Sequence, residues 1–140
     1  MARRGQLHHL ELWVRDLTAA RGSWQWLLES LGYQPYQSWP AGASWRLDDV
    51  YVVLEQSPAL LPGRHERTRP GWNHVAFWAG APAELATLVE AAPAHGWRLL
   101  FADRHPHAGG PQHHAAYLED GDGHEVELVA AAPGSAAPTA

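Results

Sequence analysis

The chain has 140 residues, 46% of them apolar, with a formal net charge of -5 and a pI near 6.0. That is enough for one ordinary domain, or two very small modules sharing a core, and it argues against general disorder. No apolar run approaches the roughly 20 residues that span a bilayer, no basic stripe suits nucleic acid, and the absence of cysteine removes disulfides and thiolate metal sites. In chain order, the opening MARRGQLHHLE has no apolar h-region before Glu11, so no secretory signal is read and a cytoplasmic location is expected. His8 to Val14 (HHLELWV) alternates as a strand, with His9, Glu11 and Trp13 on one face and Leu10, Leu12 and Val14 on the other. Asp16 is a natural N-cap for a helix from Leu17 to Leu31, whose apolar stripe is Ala20, Trp24, Leu27, Leu28 and Leu31, and Gly32 closes it. Tyr33 to Trp39, Ala43 to Leu47 and Tyr51 to Glu55 read as three short strands, punctuated by Pro40-Ala41-Gly42 and Asp48-Asp49.

Gln56 to Gly71 carries three prolines and several charges without periodicity, and reads as a linker. The pattern then restarts. Trp72 to Ala79 is a strand with His74, Ala76 and Trp78 on one face. Pro82 opens a helix striped by Leu85, Leu88, Val89 and Ala92, and Gly96 ends it. Trp97 to Phe101 is a strand, Asp103 to Gly110 a loop, and His113 to Glu119 and His124 to Val129 are strands joined by the turn Asp120-Gly121-Asp122-Gly123. The low-complexity tail at 131–140 is expected to be disordered.

The order strand, helix, strand, strand, strand thus occurs twice, at 7–56 and 72–130, within one domain of residues 1–130. His9 and His74 stand at equivalent points, 65 positions apart from 9 to 74. Neither half could bury a core alone at this size, whereas two halves side by side, or exchanged between two chains, could. The chain is also rich in His (10) and Trp (8), and so many indoles suit a cavity for a flat or apolar ligand as well as a small core.

The segments HLELWVRDL, LLESLGY, NHVAFWA and DGDGHEVEL, in this order and spacing, resemble the vicinal oxygen chelate superfamily over about residues 7 to 130. That superfamily includes glyoxalase I, fosfomycin-resistance enzymes, extradiol dioxygenases and bleomycin-resistance proteins. The resemblance implies an α+β fold of two βαβββ modules forming curved mixed sheets around a cavity. It also implies metal ligands from the first strand of each module and the last strand of the second: here His9, His74 and Glu127. Two imidazoles and a carboxylate form a facial set that leaves positions for substrate oxygens and suits zinc, iron(II), manganese or nickel. His8 competes with His9, but the strand period places it among the apolar positions.

Glyoxalase I has a fourth ligand, a Glu near the end of the first module's last strand, and Val53 stands there. Glu55, two residues on and on the same face, is a candidate ligand or general base. His113 and Tyr117, four apart, are candidates for proton transfer and for holding a substrate oxyanion. Glu11, Trp13 and Trp78 are candidate substrate contacts. His105 and His107 are loop positions, and Arg46 a surface position. The expected function is a metal-dependent lyase, isomerase or dioxygenase that chelates vicinal oxygens of a small molecule, acting as a homodimer. The alternative is a metal-free binding protein of the bleomycin-resistance type, in which Trp13, Trp45, Trp72 and Trp78 and the acidic charge hold an aromatic or cationic compound.

Overall fold

The computed structural model describes residues 2–131, so the expected tail, apart from Ala131, lies outside the described residues. The chain divides into two compact units, Met1–Gly63 and Arg64–Ala140. The first contains β1 (His9–Trp13), α1 (Leu17–Ser30), β2 (Gln34–Trp39), β3 (Gly42–Leu47) and β4 (Val50–Glu55). The second contains β5 (His74–Trp78), α2 (Pro82–Ala91), a 3₁₀ turn (Ala92–His95), β6 (Arg98–Leu100), β7 (Ala115–Glu119) and β8 (Glu125–Val129).

The helix ends follow from local chemistry. The Asp16 carboxylate accepts from the Ala19 N–H at 3.1 Å, satisfying an orphan donor of the first turn of α1. At the other end Gly32 takes φ +98, and two bonds run back from Gly32 N to Glu29 O and from Tyr33 N to Leu28 O. This Schellman closure needs a residue that tolerates the left-handed region. In α2, Pro82 occupies the first turn and the Glu84 carboxylate accepts from the Ala81 N–H at 2.7 Å.

Each unit forms one four-stranded mixed sheet, ordered β1-β4-β3-β2 and β5-β8-β7-β6. The first strand of each unit runs parallel to the last, with His9 opposite Tyr51 and His74 opposite Glu125. In the first unit α1 packs on β2, β3 and β4, and Trp24, Leu27, Leu28, Trp45, Val52 and Leu54 are buried. In the second, α2 packs on β7, and Leu85, Trp97, Leu118, Val126 and Leu128 are buried. Each such side chain contributes about 1.5–3 kcal/mol by leaving water. The strand parity read from the sequence holds: His9, Glu11 and Trp13 are more exposed than Leu10 and Leu12, and β5 repeats the pattern.

The expected linker is more than a spacer. His65 N–H donates to the Asp122 carbonyl oxygen at 3.0 Å, and its ring stacks on buried His124 at 4.7 Å. Gly123 completes this docking. It has φ +91, and a Cβ there would collide with the His65 carbonyl oxygen. Gly123→Ala is therefore expected to lower stability by at least about 1–2 kcal/mol, the cost of the left-handed region for a residue with a Cβ. Denaturant midpoints of the two proteins check this.

Candidate active site

In the second unit, strand pairing gathers the chemistry on one sheet face. Tyr117 stands opposite Glu127 and Glu119 opposite Glu125 on the β7–β8 ladder, while His74 and Ala76 oppose Glu125 and Glu127 from β5. Both β8 carboxylates are nearly buried, Glu125 at 5% and Glu127 at 8% exposure. Burial of a carboxylate is tolerated only with partners. Glu127 has two neighbours on this face: His113 Nε2 lies 3.1 Å from its Oε1, and Tyr117 stands directly opposite it on β7. Burial, and then the Glu127 carboxylate, push the Tyr117 hydroxyl up to about 12. Near neutrality Tyr117 is therefore a hydrogen-bond donor and not a base. His113 lies just before β7 rather than within it. Gly109, in the preceding loop, packs beneath the pair, and a Cβ there would stand 2.5 Å from the Tyr117 hydroxyl and 2.7 Å from His113 Cδ2.

The other carboxylates of this face form a charged network. His74 Nδ1 lies 2.7 Å from Asn73 Oδ1 and 3.2 Å from Glu125 Oε2. Arg67, from the linker, stands 3.1 Å from Glu125 and 3.2 Å from Glu119. Arg64 and Arg98 reach Glu119 at 3.4 and 3.3 Å. Burial raises the Glu125 carboxyl above its ordinary range, against the pull of Arg67 and His74. The His74 ring meets Tyr117 edge-on at 5.9 Å, which links the network to the Glu127 group.

In the first unit His9 stacks on Tyr51, with ring centres 4.9 Å apart and planes 6° apart. His8 stands differently from the alternation expected of it. It precedes β1, and its ring touches both His9 and Tyr51, with the two Nδ1 atoms 2.9 Å apart. The strand period does not reach a residue outside the ladder. Along the same face the Trp13 indole donates to Glu11 at 2.8 Å and the Trp39 indole to Glu55 at 3.4 Å. Trp39 lies over Gly42, where a Cβ would sit 2.5 Å from its ring.

Other expected residues separate clearly. Trp45 is 2% exposed and belongs to the core, so the ligand-facing role considered for it is corrected: it projects from β3 opposite Val52, on the helix side of the sheet. Trp72 and Trp78 are exposed, and Arg46 is a surface residue bonded to the Asp48 carbonyl oxygen. His107 Nδ1 is 3.3 Å from the His113 carbonyl oxygen. Sequence reasoning missed Glu119, Glu125, Arg67, Asn73 and Gly109. The alternation in HEVEL could have placed Glu125 beside Glu127, but nothing local points to Arg67.

Among the described residues, no three His, Asp or Glu side chains are gathered closely enough to enclose a metal ion. The donor chemistry nevertheless fits a divalent ion. His74 has Nδ1 engaged and, among the described residues, no hydrogen-bond partner at its other ring nitrogen, and Glu127 has one oxygen held by His113.

Residues 8–117 match the family model of the Glyoxalase/Bleomycin resistance protein/Dioxygenase superfamily. The chain is 47% identical over 126 residues to the uncharacterized protein YqjT of Bacillus subtilis, covering 89% of this chain and 98% of that one. A crystal structure of a glyoxalase-like protein from Bacillus halodurans superimposes with a TM-score of 0.86 at 39% identity, covering 91% and 97% of the two chains. The fosfomycin resistance protein FosX of Listeria monocytogenes shares the fold at 21% identity, with a TM-score of 0.64 over 92% and 95%.

Proposed function

Since the chain belongs to the Glyoxalase/Bleomycin resistance protein/Dioxygenase superfamily, we propose that it is a metal-dependent enzyme acting on a small molecule with vicinal oxygens. The observation that carries this reading is Glu127, a nearly buried carboxylate contacted by both an imidazole and a phenol on an open sheet face. A buried carboxylate that, with burial, pushes a neighbouring hydroxyl far from its ordinary ionisation range is a recurrent feature of functional sites. His74 and Glu127 are proposed as ligands, with His9 as the further ligand expected from the family pattern. A bound zinc, iron, manganese or nickel ion would supply Lewis-acid charge for substrate oxygens. The chain's own groups do the rest. Tyr117 presents a hydroxyl proton to a substrate oxygen. His113, 40% exposed in its side chain, moves a proton at Nε2. Trp13, Trp78 and Glu11 contact the substrate, and Glu55 serves as an additional base or ligand.

Protein purified without chelator is expected to carry about one divalent ion per site, and His74→Ala to weaken binding at least about tenfold, because a whole ligand is removed. Metal analysis and equilibrium dialysis read both. Unchanged affinity in His9→Ala, His74→Ala and Glu127→Ala together would remove the site. A cytoplasmic homodimer is part of the same reading, and the exposure of Trp13 and Trp78 supports the dimer. Light scattering at micromolar concentration should give twice the 15.4 kDa chain mass.

A second reading is favoured by the paired indoles and carboxylates of the first unit, Trp13 with Glu11 and Trp39 with Glu55. Their π-faces and negative charge suit an aromatic or cationic compound held without metal. If metal-stripped and metal-loaded protein bind the same aromatic ligand equally and convert no diketone, catechol or epoxide, this reading replaces the first.

A further inference from the structure

Two acceptors stand against His74 Nδ1. Glu125 Oε2 is a carboxylate oxygen, 3.2 Å away. Asn73 presents its oxygen to the ring at 2.7 Å, and its orientation is set by the other end of the amide: Nδ2 donates to the Arg67 carbonyl oxygen at 3.0 Å. A ring nitrogen facing two acceptors must carry the hydrogen, and in a neutral imidazole the other nitrogen then has a bare lone pair. For His74 that nitrogen is Nε2.

Both acceptors depend on one residue. The Arg67 main chain orients Asn73, while its guanidinium stands 3.1 Å from Glu125 Oε1 and 3.2 Å from Glu119 Oε2. The Glu125 side chain is only 3% exposed, so its charge depends on that cation. We infer that Arg67, acting through Asn73 and Glu125, is a positioning residue that fixes His74 as the Nδ1–H tautomer with Nε2 directed outward as a donor atom. The consequence for metal rests on the proposed function, since it takes His74 as a ligand. Carboxylate and amide partners of this kind set ring direction and basicity in metal-binding histidines.

Imidazole ¹H–¹⁵N correlation spectra test this in metal-free protein at about pH 8, where an ordinary imidazole is neutral. The His74 signals are assigned by their absence in His74→Gln. The wild-type ring is expected to show a protonated Nδ1 and a bare Nε2. Arg67→Ala and Asn73→Ala should shift His74 toward a mixture of tautomers and weaken Zn²⁺ binding by about 10–100-fold. Asn73→Asp, which keeps the acceptor, should retain the wild-type tautomer. Asn73 is exposed, so its variants report even if Arg67→Ala fails to fold. A wild-type ring protonated at Nε2, or a ring unchanged in Asn73→Ala and Arg67→Ala, overturns the inference. A correctly protonated ring in a protein that binds no Zn²⁺ supports the network and overturns the metal reading instead.

Discussion

His113→Ala is expected to lower turnover by about 10²–10⁴ even at saturating metal, because it removes a proton-transfer group and no proposed ligand. The geometry sets this expectation. His113 Nε2 touches Glu127 at 3.1 Å while much of the ring stays open to a substrate. Tyr117→Phe removes a donor rather than a base, since its hydroxyl is pushed up to about 12 and keeps its proton at any working pH. Loss of a single donor to a developing oxyanion typically costs about 10²–10³. Tyr117→Phe should therefore lower the whole pH–rate curve without changing its shape. The substrate for both assays comes from a screen of diketones, catechols and epoxides with metal added. Wild-type turnover in His113→Ala would take His113 out of the chemistry.

Trp24→Ala carries the largest expected stability effect. The ring is fully buried between α1 and its sheet, and truncating such a residue typically costs about 3–5 kcal/mol through lost transfer energy and the cavity left behind. A domain has only about 5–15 kcal/mol in all, so this variant should unfold at a far lower denaturant concentration, or fail to accumulate. Trp72→Ala is the contrast. That ring is 80% exposed, and its removal should change stability by no more than about 0.5 kcal/mol. Equal losses from the two would contradict the burial pattern.

The elements were legible because their signals are local. Asp16, Gly32 and Pro82 mark helix ends by their own chemistry, and period-two alternation put His9 and His74 on the open face of each β-strand. Tyr117 and Glu127 oppose each other on a ladder and so share a face, but that pairing depends on the register of the β7–β8 hairpin, which alternation alone does not fix. What stayed hidden depends on contacts distant in the chain. Arg67 reaches Glu119 from 52 positions away, out of a segment whose prolines and charges look like a spacer. Gly109 looks like one more loop glycine until the Tyr117 hydroxyl is seen against it. Trp45 and Trp13 are the same residue type in similar strands, and only the sheet's two sides decide that one is core and the other is open.

The strand order has a consequence for how the chain acquires its structure. β3 and β4 are joined at Asp48 and Asp49, so their hairpin closes over a few residues, on the microsecond scale. β1 pairs only with β4, and His9 meets Tyr51 across 42 positions, from 9 to 51. β5 waits longer still, since His74 meets Glu125 across 51, from 74 to 125. Closing these long loops costs entropy that the hairpins do not face. During synthesis the histidine-bearing strand of each unit is thus made first and secured last, and neither imidazole has a fixed direction until the final strand of its unit exists.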